Sequence, residues 1–354
     1  MTSLFAFIFL IGILVFIHEL GHFMAARSVG VRVEKFYIGF NLFGYGWKKV
    51  INGTEYGIGW FPLGGYVKVA GIIDESMDTT TTGAPDEFRS QPTWAKVWIM
   101  SAGVIMNFVL AIFLNCVLTF THGIGEVEPT AIVGTVVPKY PAEALGLEEG
   151  DLILAINDDR VEQWIDMTSL IHEHPNTTLK ITWQRGSMTM SDSVTTKMGE
   201  QMKDGASVNV GLIGIGPKIN MRDASLGESV VAGFERTGMW VSMMLSTLGG
   251  LVTGQVSMDE MAGPVMIAKI AGETAGIGFA ALLGLMAFLS VNLGLVNILP
   301  IPGLDGGHVI IALVEGLIGR ELSLKVKMGI QQVGILFLLF IFITIMVNDI
   351  SRLF

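Results

Sequence analysis

Four stretches of the chain, residues 4–24, 95–121, 279–299 and 330–347, are apolar almost throughout. About 20 consecutive apolar residues make a helix long enough to cross a bilayer, so four transmembrane helices are predicted. A fifth apolar run, residues 238–252, is short for crossing and follows Glu235 and Arg236. It reads as an amphipathic helix lying on the membrane surface, with another short helix opening at Met261 to Val265. Between the first two spans, residues 57–69 alternate in the manner of strands around Pro62 and the paired Gly64 and Gly65, which predicts a β-hairpin. Residues 74–87, acidic and rich in threonine, are expected to form a mobile, solvated segment. From 125 to 216 the pattern changes to short β-rich runs separated by turns. The layout expected is a membrane core over 1–124, a polar domain over 125–216, a linker with surface helices over 217–278, and a second membrane core over 279–354.

Composition agrees with that pattern. The 354 residues are 51% hydrophobic and 15% charged, with a mean hydropathy of +0.59, which places the chain among polytopic membrane proteins. Lys and Arg number 22 against 32 Asp and Glu, a balance of -10 with no basic stripe, so a nucleic-acid partner is excluded. Cys116 is the single cysteine and makes no internal disulfide. The first span has neither a basic leader nor a small-residue cleavage site, so it is expected to be retained. Basic residues such as Arg27, Arg32, Lys48 and Lys49 lie between spans one and two, and Arg320, Lys325 and Lys327 between spans three and four. That bias predicts loops 25–94 and 303–329 on the cytoplasmic side and the polar domain on the other.

The chemistry is concentrated at His18-Glu19-Leu20-Gly21-His22, an H-E-x-x-H motif inside the first span. On a helix, positions i and i+4 share a face, so both imidazoles reach one cation while Glu19 stands beside it as a base. From 4 to 24 the ionisable side chains are His18, Glu19 and His22 alone. His18 comes roughly 20 Å along the helix, within a hydrocarbon layer of about 30 Å, where ionisable groups are costly and functional. Zinc ordinarily takes three protein ligands and a water in a catalytic site. The candidates for the third ligand are Asp305, His308 and Glu315. Asp305 is favoured because it follows a segment broken by Pro300, Pro302 and Gly303 at membrane depth, where a carboxylate needs a cation. In the second span, Gly103 and Asn107 at i and i+4 mark a face packed closely on a neighbour.

Residues 140–157, followed by Asp158, Arg160, Val161 and a helix over 165–172, resemble the core of a bacterial PDZ domain, a module that binds extended peptides at a sheet edge. Taken with that insert, the H-E-L-G-H motif, the stretch from Asn297 to His308 written N-x-x-P-x-P-x-L-D-G-G-H, and the ending Asn348-Asp349-Ile350-Ser351-Arg352, nearly the whole chain resembles the bacterial site-2 protease family of the RseP kind. The resemblance implies a polytopic α-helical membrane protein with four transmembrane helices, a membrane-associated β-hairpin and one inserted α/β PDZ domain. It implies one zinc ion per chain held by His18, His22 and Asp305, with Glu19 as the catalytic acid and base. Asn297 would contact the substrate backbone, and the hairpin, through Gly57, Gly59, Gly64 and Gly65, would be a re-entrant loop that pairs with unwound substrate. Substrates would be single-span membrane proteins of the anti-sigma factor or remnant signal peptide type, cleaved in the bacterial inner membrane. Enterobacterial members carry two PDZ domains in tandem, where this chain has one. Two other classes fit parts of the pattern: an intramembrane zinc transporter or sensor, and a membrane-tethered PDZ scaffold with a structural metal.

Overall fold

A computed structural model describes residues 2–41, 44–72, 83–203, 206–257 and 261–352. Within it the chain divides into two units, Met1–Thr121 with Ser225–Phe354, and His122–Ala224.

The first unit begins with α1 (Thr2–Ser28), the predicted first span, and continues into a four-stranded sheet. Its strands are β1 (Val33–Phe40), β2 (Gly46–Ile51), β3 (Thr54–Gly59) and β4 (Phe61–Val69), in the order β2-β3-β1-β4. The sequence led us to expect a hairpin over 57–69; the structure replaces it. β3 and β4 do not pair with each other but flank β1, β3 parallel to it and β4 antiparallel. The hairpin lies one connection earlier, between β2 and β3, where Asn52 and Gly53 both take positive φ, 49° and 80°. To pass from β3 to β4 the chain crosses the end of β1 at backbone contact. Gly59 lies against the backbone of Phe40 and Gly39 (φ 75°) against the carbonyl of Phe61, positions with no room for a Cβ. One face of the sheet is packed on α1 through Phe36, whose ring stands 5.9 Å from Phe16 and 5.2 Å from Phe23. Ala25, Ala26, Val33 and Val69 continue that core. Gly65 lies beside Val15, so the sheet rises along α1 to the level of its H-E-x-x-H motif. Past the packed region, Ile38, Ile58 and Trp47 are cross-strand neighbours and all exposed, as is Trp60, a surface suited to lipid. Of the acidic 74–87 segment, residues 74–82 lie outside the described residues; Gly83 onward folds into a turn closed by the Glu87 carboxylate. α2 (Thr93–His122) is the second span.

The second unit holds β5 (Ile124–Val127), β6 (Val133–Val136), α3 (Pro141–Leu145), β7 (Leu152–Ile156), β8 (Asp159–Arg160), α4 (Trp164–His172), β9 (Thr178–Arg185), β10 (Met188–Thr195), β11 (Lys197–Lys203), β12 (Ala206–Leu212), β13 (Ile215–Pro217) and β14 (Ile219–Arg222). A sheet of order β10-β9-β7-β8 packs with α4 around Ile153, Ile156, Met167, Leu179 and Ile181, each almost fully buried. β14 pairs with β5, carrying the unit past the boundary at 216 that the sequence suggests.

The chain then returns to the first unit with α5 (Leu226–Thr253), started by a capping box in which Ser225 and Glu228 exchange bonds. In place of a short surface helix from 238, α5 is continuous over 28 residues. Gly233 is seated on Cys116 of α2, Thr237 accepts a bond from Asn115, and Trp240 packs edge-on against Phe288. α6 (Pro264–Ile277), α7 (Phe279–Asn297), α8 (Asp305–Ile318) and α9 (Leu324–Ser351) complete it. α1, α2, α7 and α9 are long and apolar enough to cross a membrane, as expected. α8, only 14 residues long, has no counterpart in the apolar pattern.

Candidate metal centre

His18 and His22 come from consecutive turns of α1, on its face toward α2 and α8. Asp305 is the first residue of α8, brought in by the break after α7. Gly306 and Gly307 sit directly on the carbonyls of Ile298, Leu299 and Ile301, which fixes the start of α8 on that break. Nε2 of His18 lies 3.2 Å and Nε2 of His22 3.3 Å from Oδ2 of Asp305, and the two Nε2 atoms are 3.2 Å apart. Both imidazoles are buried.

That triangle is the edge length of a tetrahedral zinc site: ligand atoms at about 2.0–2.1 Å from one ion stand roughly 3.3 Å from one another. A second observation agrees. Oδ2 of Asp305 is buried and accepts no hydrogen bond, although two ring nitrogens lie beside it. Three lone pairs thus converge on one point, and this donor set of two imidazoles and a carboxylate fits a single zinc ion. The other ring nitrogens face α2: Nδ1 of His22 donates to the Ile99 carbonyl at 2.8 Å, and Nδ1 of His18 is 3.1 Å from the Asn107 amide. A bond of that kind on the outer nitrogen fixes the tautomer that presents a lone pair inward.

The triangle opens into a cavity of about 500 Å3 lined by Glu19, Gly64, Gly65, Tyr66, Val67, Asn297 and His308 among others. Asn297 reaches in from the end of α7, its Nδ2 3.3 Å from Nε2 of His18. Two of the expected glycines are therefore at the cavity and two are not: Gly57 is covered by the Tyr37 ring, and Gly59 makes the crossing over β1. Of the other ligand candidates, Glu315 is held by Lys327 at 2.6 Å and by the backbone N–H of Leu322. His308 lines the cavity but does not join the converging atoms among the described residues. Ile99 is a neighbour that sequence reasoning left without a role, and Gly103 and Asn107 form the closely packed face expected of them. The i, i+4 spacing of Gly103 and Asn107 was visible, but not that the face they share meets the histidines.

Comparison with known proteins follows the same line. The model of Peptidase family M50 matches residues 6–341. The chain is 30% identical to zinc metalloprotease RasP of Bacillus licheniformis, over 100% of both chains. It is 28% identical to the regulator of sigma-W protease RasP of Bacillus subtilis, over 100% of this chain and 99% of that one. Among solved structures, the PDZ domain of an SdrC-like protein from Listeria monocytogenes aligns with 27% of this chain and 93% of its own, at 23% identity and a TM-score of 0.21. The match to the family model across nearly the full length, with full-length relatives beside it, places the chain in peptidase family M50, the site-2 protease family of zinc metalloendopeptidases.

Proposed function

We propose that this protein hydrolyses peptide bonds of single-span membrane proteins within the bacterial inner membrane, with His18, His22 and Asp305 holding one zinc ion and Glu19 acting as the general base and acid. The observation that carries the reading is the triangle of 3.2, 3.3 and 3.2 Å formed by donors from α1 and α8. Zinc supplies a Lewis acid that polarises a carbonyl and brings the pKa of water down to about 7. Glu19, on the cavity wall beside the triangle, takes the proton from the attacking water and delivers it to the leaving amine. Asn297 offers its amide N–H to the substrate backbone.

A transmembrane helix hides its peptide bonds in its own hydrogen bonds, so a substrate must become extended before it reacts. β4 is the outermost strand of its sheet on the cavity side, and Gly64, Gly65, Tyr66, Val67 and Val69 line the cavity. An edge strand leaves one row of backbone N–H and C=O groups open for a new strand. β4 is thus the pairing edge, and the role assigned to the glycines of a hairpin narrows to Gly64 and Gly65. In the second unit, a groove of about 250 Å3 between α4 and residues 211–215 is read as the peptide site of a PDZ domain on the extracytoplasmic side. The Bacillus subtilis relative is named a regulator of sigma-W protease, and a membrane-anchored anti-sigma factor is the substrate type we propose by analogy.

The test is cleavage of a co-expressed single-span substrate alongside zinc content of the purified protein. Glu19→Gln is expected to retain zinc and lose at least about 100-fold in rate, whereas Asp305→Ala loses both. Wild-type cleavage by Glu19→Gln would overturn the assignment of the base, and full zinc occupancy in Asp305→Ala that of the ligand.

A further inference from the structure

Asn107 is fully buried on the face of α2 that meets α1, and its amide stands 3.1 Å from Nδ1 of His18. For Nε2 of His18 to offer a lone pair toward Asp305 and His22, the ring proton must sit on Nδ1, and Nδ1–H must then find an acceptor. His22 has solved the same problem with the Ile99 carbonyl, one helical turn below Gly103 on α2. For His18 the group at hand is Asn107, whose Oδ1 is buried without a hydrogen-bond partner. The two ends of a carboxamide are alike in shape, and hydrogen bonding decides which of them faces a neighbour. With Nδ2 toward the ring, the proton of His18 would lie on Nε2, inside the triangle, where it would obstruct a cation. With Oδ1 toward the ring, the orphaned acceptor is satisfied and the lone pair points inward. The backbone at this position is itself fixed, since Ser290 of α7 donates to the Asn107 carbonyl at 2.8 Å.

We infer that Asn107 is a positioning residue for the metal centre: its carboxamide oxygen accepts the Nδ1–H of His18 and holds the tautomer and ring plane in which Nε2 binds zinc. The inference rests on the reading of His18 as a ligand. It differs from a packing role, because it requires an acceptor and not merely a side chain of the right size.

The experiment is a zinc dissociation constant for the full-length protein in detergent, by competition with a chelating dye, for the wild type, Asn107→Leu, Asn107→Asp, Asn115→Leu and Asp305→Ala. Asn107→Leu keeps the volume without the acceptor and is expected to weaken zinc binding about 10- to 100-fold, the range for losing such an outer partner. Asn107→Asp keeps an acceptor and is expected to bind within a few-fold of the wild type or more tightly. Asn115→Leu, two turns farther along the same face of α2, is expected to leave the constant unchanged. Wild-type affinity in Asn107→Leu, or equal weakening in both Asn107 variants, would overturn the inference. If the leucine variant does not fold, Asn107→Asp decides alone, a tenfold loss counting against it. Wild-type affinity in Asp305→Ala would instead sink the metal-site reading itself, so the two failures are distinguishable.

Discussion

Gly103 of α2 is pressed against His22 of α1 so closely that a Cβ at position 103 would overlap Nε2 of the imidazole and lie 2.7 Å from Cε1 of His18. The helices meet at backbone distance here, since Gly21 is in equally close contact with the backbone of Ala102 one residue away. Gly103→Ala is therefore expected to displace the histidines, costing about 1–3 kcal/mol in packing and a larger share in zinc affinity. Zinc content and thermal unfolding measured on the same preparation separate the two effects. An alanine variant with wild-type zinc content would contradict the contact.

At the other end of the membrane core, Asp349 near the end of α9 is 1% exposed and takes backbone N–H groups of Gly263, Val265 and Met266 at 2.9–3.0 Å. It serves as the N-cap of α6 from a distant helix, satisfying donors that the helix leaves open. Asp349→Ala is expected to lower stability by about 2–4 kcal/mol, with Asp349→Asn milder because it keeps one acceptor oxygen. Unfolding midpoints in detergent check the order; equal midpoints for alanine and wild type would remove the cap from consideration.

Lys327 and Glu315 tie α9 to α8 with side chains only 14% and 8% exposed. Breaking such a pair from one side strands a buried charge, so Lys327→Met alone is expected to cost about 3–5 kcal/mol, and the double variant with Glu315→Gln less than that. The double-variant cycle reads the difference directly. A double variant less stable than Lys327→Met alone would overturn the stranded-charge account.

In the second unit, Asp151 is 1% exposed and bridged by the Arg185 guanidinium at 2.8 Å. Burial pushes its carboxyl pKa up, but the Arg185 bonds and charge and the Glu148 N–H outweigh burial and hold it below the ordinary carboxylate value. A depressed folded pKa contributes stability above the unfolded value near 4, and that contribution is lost as pH falls through the lower, folded value. Amide exchange in β7 and β9 of the full chain is expected to quicken below about pH 4, and Arg185→Met to abolish that part of the acid response. An unchanged response in Arg185→Met would assign it elsewhere.

The residues that converge on the triangle are the most legible part of the sequence. His18 and His22 declare themselves because helical spacing and hydrophobic surroundings are local properties, and Asp305 stood out because a carboxylate at that depth needs a cation. The sheet was read less well. The alternation around Gly64 was visible, but its partner is β1, some 30 residues back in the chain, and strand order is set by that pairing and not by the nearest turn. Gly59, inside the stretch expected to form a hairpin around Pro62, Gly64 and Gly65, belongs instead to the crossing over β1. α8 has no counterpart in the apolar pattern because its 14 residues are too few for a span and it opens on Asp305-Gly306-Gly307 directly after the break at Pro300, Pro302 and Gly303. α5 was underestimated because its start, capped by Ser225 and Glu228, lies in polar sequence ahead of the apolar run.

The triangle at the heart of the molecule joins the first helix of the chain to a helix near its end through two imidazole nitrogens and one carboxylate oxygen. With no cation there, the two imidazoles and the carboxylate are held together by no more than a shared proton, and the hold of α8 on α1 at that point is weaker. The ion is then a rivet as well as a reagent: chelation is expected to loosen the early turns of α8, seen as faster proteolysis or amide exchange around Asp305. Restored zinc should return the protection in proportion to its free concentration over the dissociation constant.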